Sequence, residues 1–435
     1  MLRDILKQLI ILYQKEIPFP MITRDEKLPT SSQKIITIPG VRRCGKSCKM
    51  KLVVNELVQS GIPAQNILWM GFDDERLMNM TAESLNEVLE AYRELYPTTD
   101  LSDVYIFFDE IQNITGWELF VMRVYKNYCK NIFISGSNAR MLSQEIATSL
   151  RGWAVEYKTF PLSFAEYCHF LNIPTKRLDE QQTCRLRLAW DEYNRVGAFP
   201  EVILTEEQSI KDKLLQSYYN AMLFRDLVER HSINNVGVLR YFIKRLMNNI
   251  TKPTSIHSIY KDIRSQGLKI SKDELYKWAD YVCDCFIFQR ITKYTPSLKE
   301  EEHTLKKYYF IDNGLRQAIL LPHSQDNGKL LENSVFLHLL RSCEELDKIT
   351  YFIENKECDF VVQREDEVRM LVQVCWDMQD EETRKRELAG ILEAQKITKC
   401  TELYIITHIG DERIEQNGIT IHVIPAWKWM LQPAF

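Results

Sequence analysis

Residues 35–50 read IITIPGVRRCGKSCKM. An apolar, β-rich run enters a turn in which Gly40 and Gly45 bracket four residues, and Lys46-Ser47 follows at once. Strand, glycine-bracketed loop, lysine and hydroxyl residue, then helix is the full pattern of a phosphate-binding loop. Each residue type has its reason. The glycines let backbone N–H groups turn inward around a phosphate. Lys46 can reach the β- and γ-phosphates, and Ser47 offers a hydroxyl to Mg²⁺. A helix opening at Ser47 points its positive end at the anion. The expected nucleotide-binding residues are therefore Gly40, Val41, Arg42, Arg43, Cys44, Gly45, Lys46, Ser47 and Cys48, with ATP and Mg²⁺ as the ligands.

Such a loop needs a parallel sheet around it, and the chain supplies one. KIITIP, NILWMGF, VYIFFDE, NIFISGS and AVEYKTF punctuate residues 34–160, with helical stretches between them. Runs this apolar suit strands buried on both faces, and their alternation with helices predicts a parallel α/β sheet. The third run ends in Asp109-Glu110. A carboxylate at the tip of a buried strand is what a Mg²⁺ site needs, so Asp109 joins Ser47 as the expected metal ligand. Glu110 is placed to polarise an attacking water as general base. The fourth run ends ISGSN, whose Ser135, Ser137 and Asn138 can hydrogen-bond the γ-phosphate or the water. Arg140 and Arg151 follow, and Arg151, beside Gly152, is the better candidate for a charge supplied to the transition state. The expected catalytic set is Glu110, Lys46 and Arg151.

The 435 residues suggest two or three domains. Leu2, Ile5, Leu6, Leu9 and Leu12 repeat at helical spacing and predict an amphipathic helix. The apolar run there is too short for a signal core. Eleven scattered cysteines without a CxxC pair read as reduced thiols, and the protein as cytoplasmic. From about residue 166 the pattern is helical. SIHSIYKDIRSQGLKI and SKDELYKWADYVCDC then precede two strand-like runs, FIFQRITKYTP and LKKYYFID, around a charged loop, SLKEEEH. That is the outline of a winged helix. Its candidate recognition helix, residues 271–285, sets Lys272 and Lys277 against Asp273, Glu274, Asp280 and Asp284. The net charge of the chain is −4, so DNA would have to be held by a local stripe such as Arg240, Lys244, Arg245 and Lys252. Trp278 and Tyr281 read as core residues rather than base-stacking ones.

From about residue 328, helix, three strands, helix, strand is the order of a restriction-endonuclease-like core. Such nucleases hold Mg²⁺ with a helix Glu, a strand Asp and a Glu two before a Lys. Glu332 and Asp359 match the first two by position, but Gln373 and Cys375 stand where the Glu and Lys belong. Metal-assisted cleavage needs that carboxylate charge. An inactive nuclease-like domain is expected.

GVRRCGKS, FDEIQNITGWE, ISGSNARML and SLRGWAVEYKTFPLSFAEY together resemble the prokaryotic AAA-type ATPases with a VRRxGKS loop and a C-terminal domain of unknown function. The likeness runs on, collinear, through VGAFPEVIL, KKYYFIDNGLRQAI, GKLLENSVFLHLLR and IPAWKWML. It implies an additional-strand, catalytic-glutamate P-loop fold, then a winged helix, then a nuclease-like α/β domain. Expected spans are 1–165, 166–327 and 328–435. The resemblance also implies a homo-oligomer, because AAA-type sites usually borrow an arginine from a neighbour.

Overall fold

The structure, a computed structural model, describes residues 2–137, 150, 152–295, 297–320, 327–416 and 418–433. The chain divides into two compact units, one of residues 1–160 with 284–286, the other of 161–283 with 287–435.

The first unit is built on five parallel strands: β1 (Ile35–Pro39), β2 (Ile67–Gly71), β3 (Tyr105–Asp109), β4 (Asn131–Gly136) and β5 (Ala154–Glu156). Their order is β2-β3-β4-β1-β5. Every residue of β1 and β2 is buried, because helices cover both faces. Side chains of a strand alternate between faces, and the core divides accordingly. Leu68, Met70, Ile106, Phe108, Ile132 and Ile134 pack with the helices α1 (Leu2–Lys15), α3 (Asn86–Leu95) and α4 (Trp117–Asn127). On the other face Ile36, Ile38, Trp69, Phe107 and Phe133 pack with α2 (Lys46–Gln59). Trp69, Phe107 and Phe133 stack across three adjacent strands, with ring centroids 5.6 and 4.7 Å apart. In α1 the buried residues are Leu6, Leu9 and Ile10; Leu12, expected on the apolar stripe, faces outward. Ile10 lies on the inward face one turn from Leu6 and takes that place.

The strand order separates β1 from β3 by one strand, β4. The phosphate-loop strand and the strand that ends in Asp109 therefore flank β4, and Ser135 near its end lies between them. All of these strands finish at the same edge of the sheet, where ligands of open α/β folds bind.

In the second unit, β6 (Pro253–Thr254), the helices Ile256–Ser265 and Lys272–Asp284, then β7 (Phe288–Ile291) and β8 (Lys306–Phe310) follow in chain order, and the three strands form an antiparallel sheet of order β6-β8-β7. The segment SLKEEEH, expected as a loop, contains a short helix, Leu298–His303. Ser297 caps it by accepting from the Glu300 N–H at 3.4 Å. A six-stranded mixed sheet follows: β9 (Asp347–Ile353), β10 (Glu357–Arg364), β11 (Glu367–Cys375), β12 (Leu403–Thr407), β13 (Glu412–Gln416) and β14 (Ile419–Pro425), in the order β13-β14-β12-β11-β10-β9. Strands β11, β12 and β14 are mutually parallel and the others antiparallel. Trp278 is buried as expected, and Tyr281 is half-buried, its ring stacked on His231. All eleven cysteines are free thiols, seven of them buried. Among the described residues no helix is long and apolar enough to cross a membrane.

Candidate nucleotide-binding site

The loop 40–45 is held by backbone geometry that only certain residues allow. Gly40 donates its N–H to the Gly136 carbonyl at 3.2 Å, and a Cβ there would collide with the Thr159 carbonyl. Gly45 has φ 103°, a conformation costly for any residue with a side chain. Arg43 also has positive φ, at 66°. The buried Cys44 thiol donates to the Thr159 carbonyl at 3.2 Å. Arg24 braces the loop from outside, donating to the carbonyls of Cys44 (3.2 Å) and Phe160 (3.1 Å). α2 then begins at Lys46, with Gly45 as its N-cap. The Lys46 ammonium is 4 % exposed, donates to the Val41 carbonyl at 3.3 Å and lies 3.2 Å from a Glu110 carboxylate oxygen. Cys48 is exposed on the first turn of α2, Arg43 is exposed and Arg42 is half-buried.

The acid pair divides its work through one backbone feature. Along a strand, neighbouring side chains point to opposite faces, so Asp109 and Glu110 would diverge. Glu110 instead takes a left-handed conformation, φ 53°, which ends the strand and turns its side chain toward Lys46. Positive φ at a residue with a side chain costs about 1 kcal/mol or more and persists only where its surroundings hold it. Here Ser135 holds it: its Oγ accepts the Glu110 N–H at 3.1 Å and its hydroxyl donates to Asp109. Gln112 donates its amide N–H to the other Glu110 oxygen.

The two carboxyls are pushed apart in acidity. Burial, then the charge of Glu110, raises Asp109 to about 6, against hydrogen bonds from Ser135 and Ser47. Burial pushes Glu110 upward too, but Lys46 and then Arg42 outweigh it and hold Glu110 below the usual range. Burial would discharge Lys46, yet Glu110 keeps it above its ordinary value. An ionised acceptor beside a more weakly acidic partner is a common acid–base division in active sites.

Two buried polar atoms at this edge have no hydrogen-bond partner among the described residues: Gln112 Oε1 and Thr159 Oγ1. Buried polar atoms are seldom left unpaired. With a buried ammonium, a hydroxyl joined to a carboxylate and a helix N-terminus, they fit a phosphate chain accompanied by a hard divalent cation. Ser135 and Ser137 are buried at the end of β4. Asn138, Arg140 and Arg151 lie outside the described residues. Sequence reasoning assigned nothing to Gln112, Thr159 or Arg24. Gln112 carried a signal, a polar residue two positions after the acid pair; Thr159 and Arg24 carried none.

A parallel sheet in which β1 feeds this loop, with an acid pair at the tip of a strand two places away, defines a P-loop nucleotide-binding domain. Residues 32–168 match the family described as an AAA domain, and residues 187–326 match the domain of unknown function DUF8612. MJ1544, an uncharacterized protein of Methanocaldococcus jannaschii, is 32% identical over 421 residues, spanning 94% of this chain and 91% of that protein. An uncharacterized protein of Haemophilus influenzae is 29% identical over 398 residues, 92% of this chain and 94% of that one. The chain belongs to this family, in which an AAA domain is joined to a C-terminal domain of unknown function. Among solved structures, the Aeropyrum pernix ORC1 protein in complex with DNA is similar at TM-score 0.32 and 12% identity, covering 72% of this chain and 90% of that one. AMPPCP-bound DnaA from Aquifex aeolicus is similar at TM-score 0.24 and 16% identity, covering 63% and 78%.

Proposed function

We propose that the protein binds Mg-ATP at residues 40–48 and hydrolyses it, coupling turnover to a change of shape or of assembly. The observation that carries this reading is Glu110: a buried, ionised carboxylate turned out of the strand beside Asp109 and toward the loop lysine. In this reading Lys46 contacts the β- and γ-phosphates, and the loop N–H groups and the start of α2 hold the rest of the chain of phosphates. Ser47 and Asp109 hold Mg²⁺, which when bound supplies neutralising charge at the phosphates. Glu110 accepts a hydrogen bond from the attacking water and draws on its proton. Its depressed pKa suits orienting and polarising the water more than removing the proton outright. Gln112 fixes the Glu110 carboxylate from its far side, and Ser135 fixes the turn that aims it. Adjacent placement of Glu110 and Asp109 favours transfer to water over transfer to a second substrate. Arg151, in its own subunit or a neighbour's, is the proposed transition-state arginine.

The remaining parts are read with this motor. Two helices between β6 and the β7-β8 hairpin support a winged-helix reading of the region up to 327, and the six-stranded mixed sheet supports a nuclease-like reading of 328–435. A homo-oligomer and a cytoplasmic setting belong to the same proposal. The alternative is an ATP-gated scaffold on DNA. Arg240, Lys244 and Lys252 are exposed and would carry the phosphate contacts, while Arg245 is paired with Asp262. The acidic helix Lys272–Asp284 buries Leu275, Trp278, Ala279 and Val282, which supports packing as its role.

The test is ATP binding, ATP hydrolysis and sizing with and without ATP, on wild type and Lys46→Ala. Turnover by wild type, lost together with binding in the variant, supports the ATPase. Binding and ATP-dependent assembly without turnover supports the scaffold. No ATP binding by wild type overturns both.

A further inference from the structure

Lys307 is on β8, and its ammonium is completely buried. It lies among three carboxylate oxygens, donating to Glu332 Oε1 and Asp359 Oδ1, both at 3.2 Å, and forming an ion pair with Glu357 Oε1 at 2.6 Å. An ammonium has three donors and no acceptor, so only groups of negative or acceptor character suit this place. Its partners come from two other elements. Glu332 is on the helix Asn327–Ser342, while Glu357 and Asp359 are two apart on β10 and so share one face. Tyr309, on the same face of β8 as Lys307, donates its hydroxyl to Glu332 at 2.9 Å. The Val374 N–H donates to the second Asp359 oxygen at 2.9 Å. The Tyr351 ring closes another side, its centroid 5.4 Å from the ammonium.

This is the cluster in which a nuclease-like core would hold a divalent ion, and the residues do not fit one. An oxygen-bound Mg²⁺ needs the point that faces all of the carboxylates, and Nζ of Lys307 takes that point. The two positions that would complete a metal site are turned elsewhere. Gln373 accepts the Asp359 N–H at 3.2 Å and donates to Glu387 at 2.6 Å, and the Cys375 thiol donates to the Asp377 carbonyl at 3.1 Å. Among the described residues no group of histidine, cysteine or carboxylate side chains is arranged to hold a metal ion.

We infer that Glu332, Glu357 and Asp359 form a cation site whose occupant is the chain's own Lys307, and that this tether replaces the divalent ion. The consequence is mechanical as well as chemical. The cation arrives on a strand of the three-stranded sheet and the carboxylates sit on the six-stranded sheet and its helix, so the site clamps the two sheets together. The cluster supplies no phosphodiester cleavage while Lys307 is seated. One ammonium against three carboxylates leaves excess negative charge; burial, then Asp359, pushes Glu332 up to about 8, and a retained proton there relieves it.

The test uses the full chain without nucleotide, with Mn²⁺ as the probe, followed by titration calorimetry and thermal melting. Wild type and Glu357→Gln should give superimposable Mn²⁺ isotherms, because the cluster takes no ion. Lys307→Ala should melt several degrees lower, gain one Mn²⁺ equivalent and recover part of its melting temperature in Mn²⁺. Adding Glu357→Gln to that variant should weaken the gained site. Mn²⁺ uptake by wild type that Glu357→Gln diminishes overturns the inference, and this arm stands even if Lys307→Ala does not fold. A folded Lys307→Ala that gains no Mn²⁺ site overturns it too.

Discussion

The Lys46 ammonium and the Glu110 carboxylate lie 3.2 Å apart, both largely shielded from water. The loop's lysine and the proposed base thus share one ion pair. A phosphate that approaches Lys46 enters the field of Glu110, and any change at one residue is felt at the other.

Removing the lysine should therefore damage the fold as well as ligand binding. In Lys46→Met the Glu110 carboxylate keeps its burial and loses the largest charge that offsets it. Breaking a buried pair from one side costs about 3 kcal/mol or more. Urea unfolding of the nucleotide-free protein should show a loss of that order, with ATP affinity abolished. Loss of ATP affinity with unchanged stability would mean that the pair contributes nothing to the fold.

Asp109 should do the opposite. Its carboxyl titrates at about 6 when folded, against 3.8 ordinarily. Between these values the native state binds more protons than the unfolded one, so stability falls as pH rises through the window from about 4 to 6. The loss amounts to about 3 kcal/mol at most, from about 1.4 kcal/mol per unit of pKa. Asp109→Asn, which has no such charge to bury, should be more stable than wild type at pH 7 without nucleotide. It should also hydrolyse no ATP. Denaturant melts at pH 4.5 and 7 check both signs.

Gly45 and Gly61 make a matched pair of substitutions. Both have strongly positive φ, 103° and 99°, and a Cβ on Gly61 would meet nothing within 4 Å. Alanine at either should cost about 1–2 kcal/mol of stability through backbone strain. Only Gly45→Ala should also weaken ATP binding, measured with a fluorescent ATP analogue, because only its loop is proposed to hold the phosphates.

Gln112→Ala should lower kcat about tenfold to a hundredfold while leaving ATP affinity within a few-fold, since a hydrogen bond to a charged group contributes about 1.5–3 kcal/mol. Steady-state kinetics read both numbers.

The loop and the acid pair were legible because their chemistry is local: glycine spacing, a lysine and a carboxylate at the tip of an apolar run all lie within a few residues of one another. The five parallel strands were legible because burial on both faces removes polar residues from the run. β13 was not. Its sequence, ERIEQ, forms an exposed, charged edge strand, and pairing with β14 rather than an apolar pattern defines it. The Leu298–His303 helix was hidden by its charge and declared only by its Ser297 cap. Lys307 was the least legible of all. Nothing in LKKYYFID distinguishes its second lysine from its first, and the carboxylates that surround it are 25 to 52 residues away. Likewise, the turn that aims Glu110 depends on Ser135, 25 residues further along the chain.

The most direct test of the account is the comparison of wild type with Glu110→Gln in paired assays of ATP binding and single-turnover hydrolysis. The variant should bind ATP as wild type does, or more tightly, and its hydrolysis should fall about a hundredfold to ten-thousandfold, the range supplied by a positioned acid–base group. Equal hydrolysis by the two proteins would contradict the account, because Glu110 would then be a partner of Lys46 and nothing more.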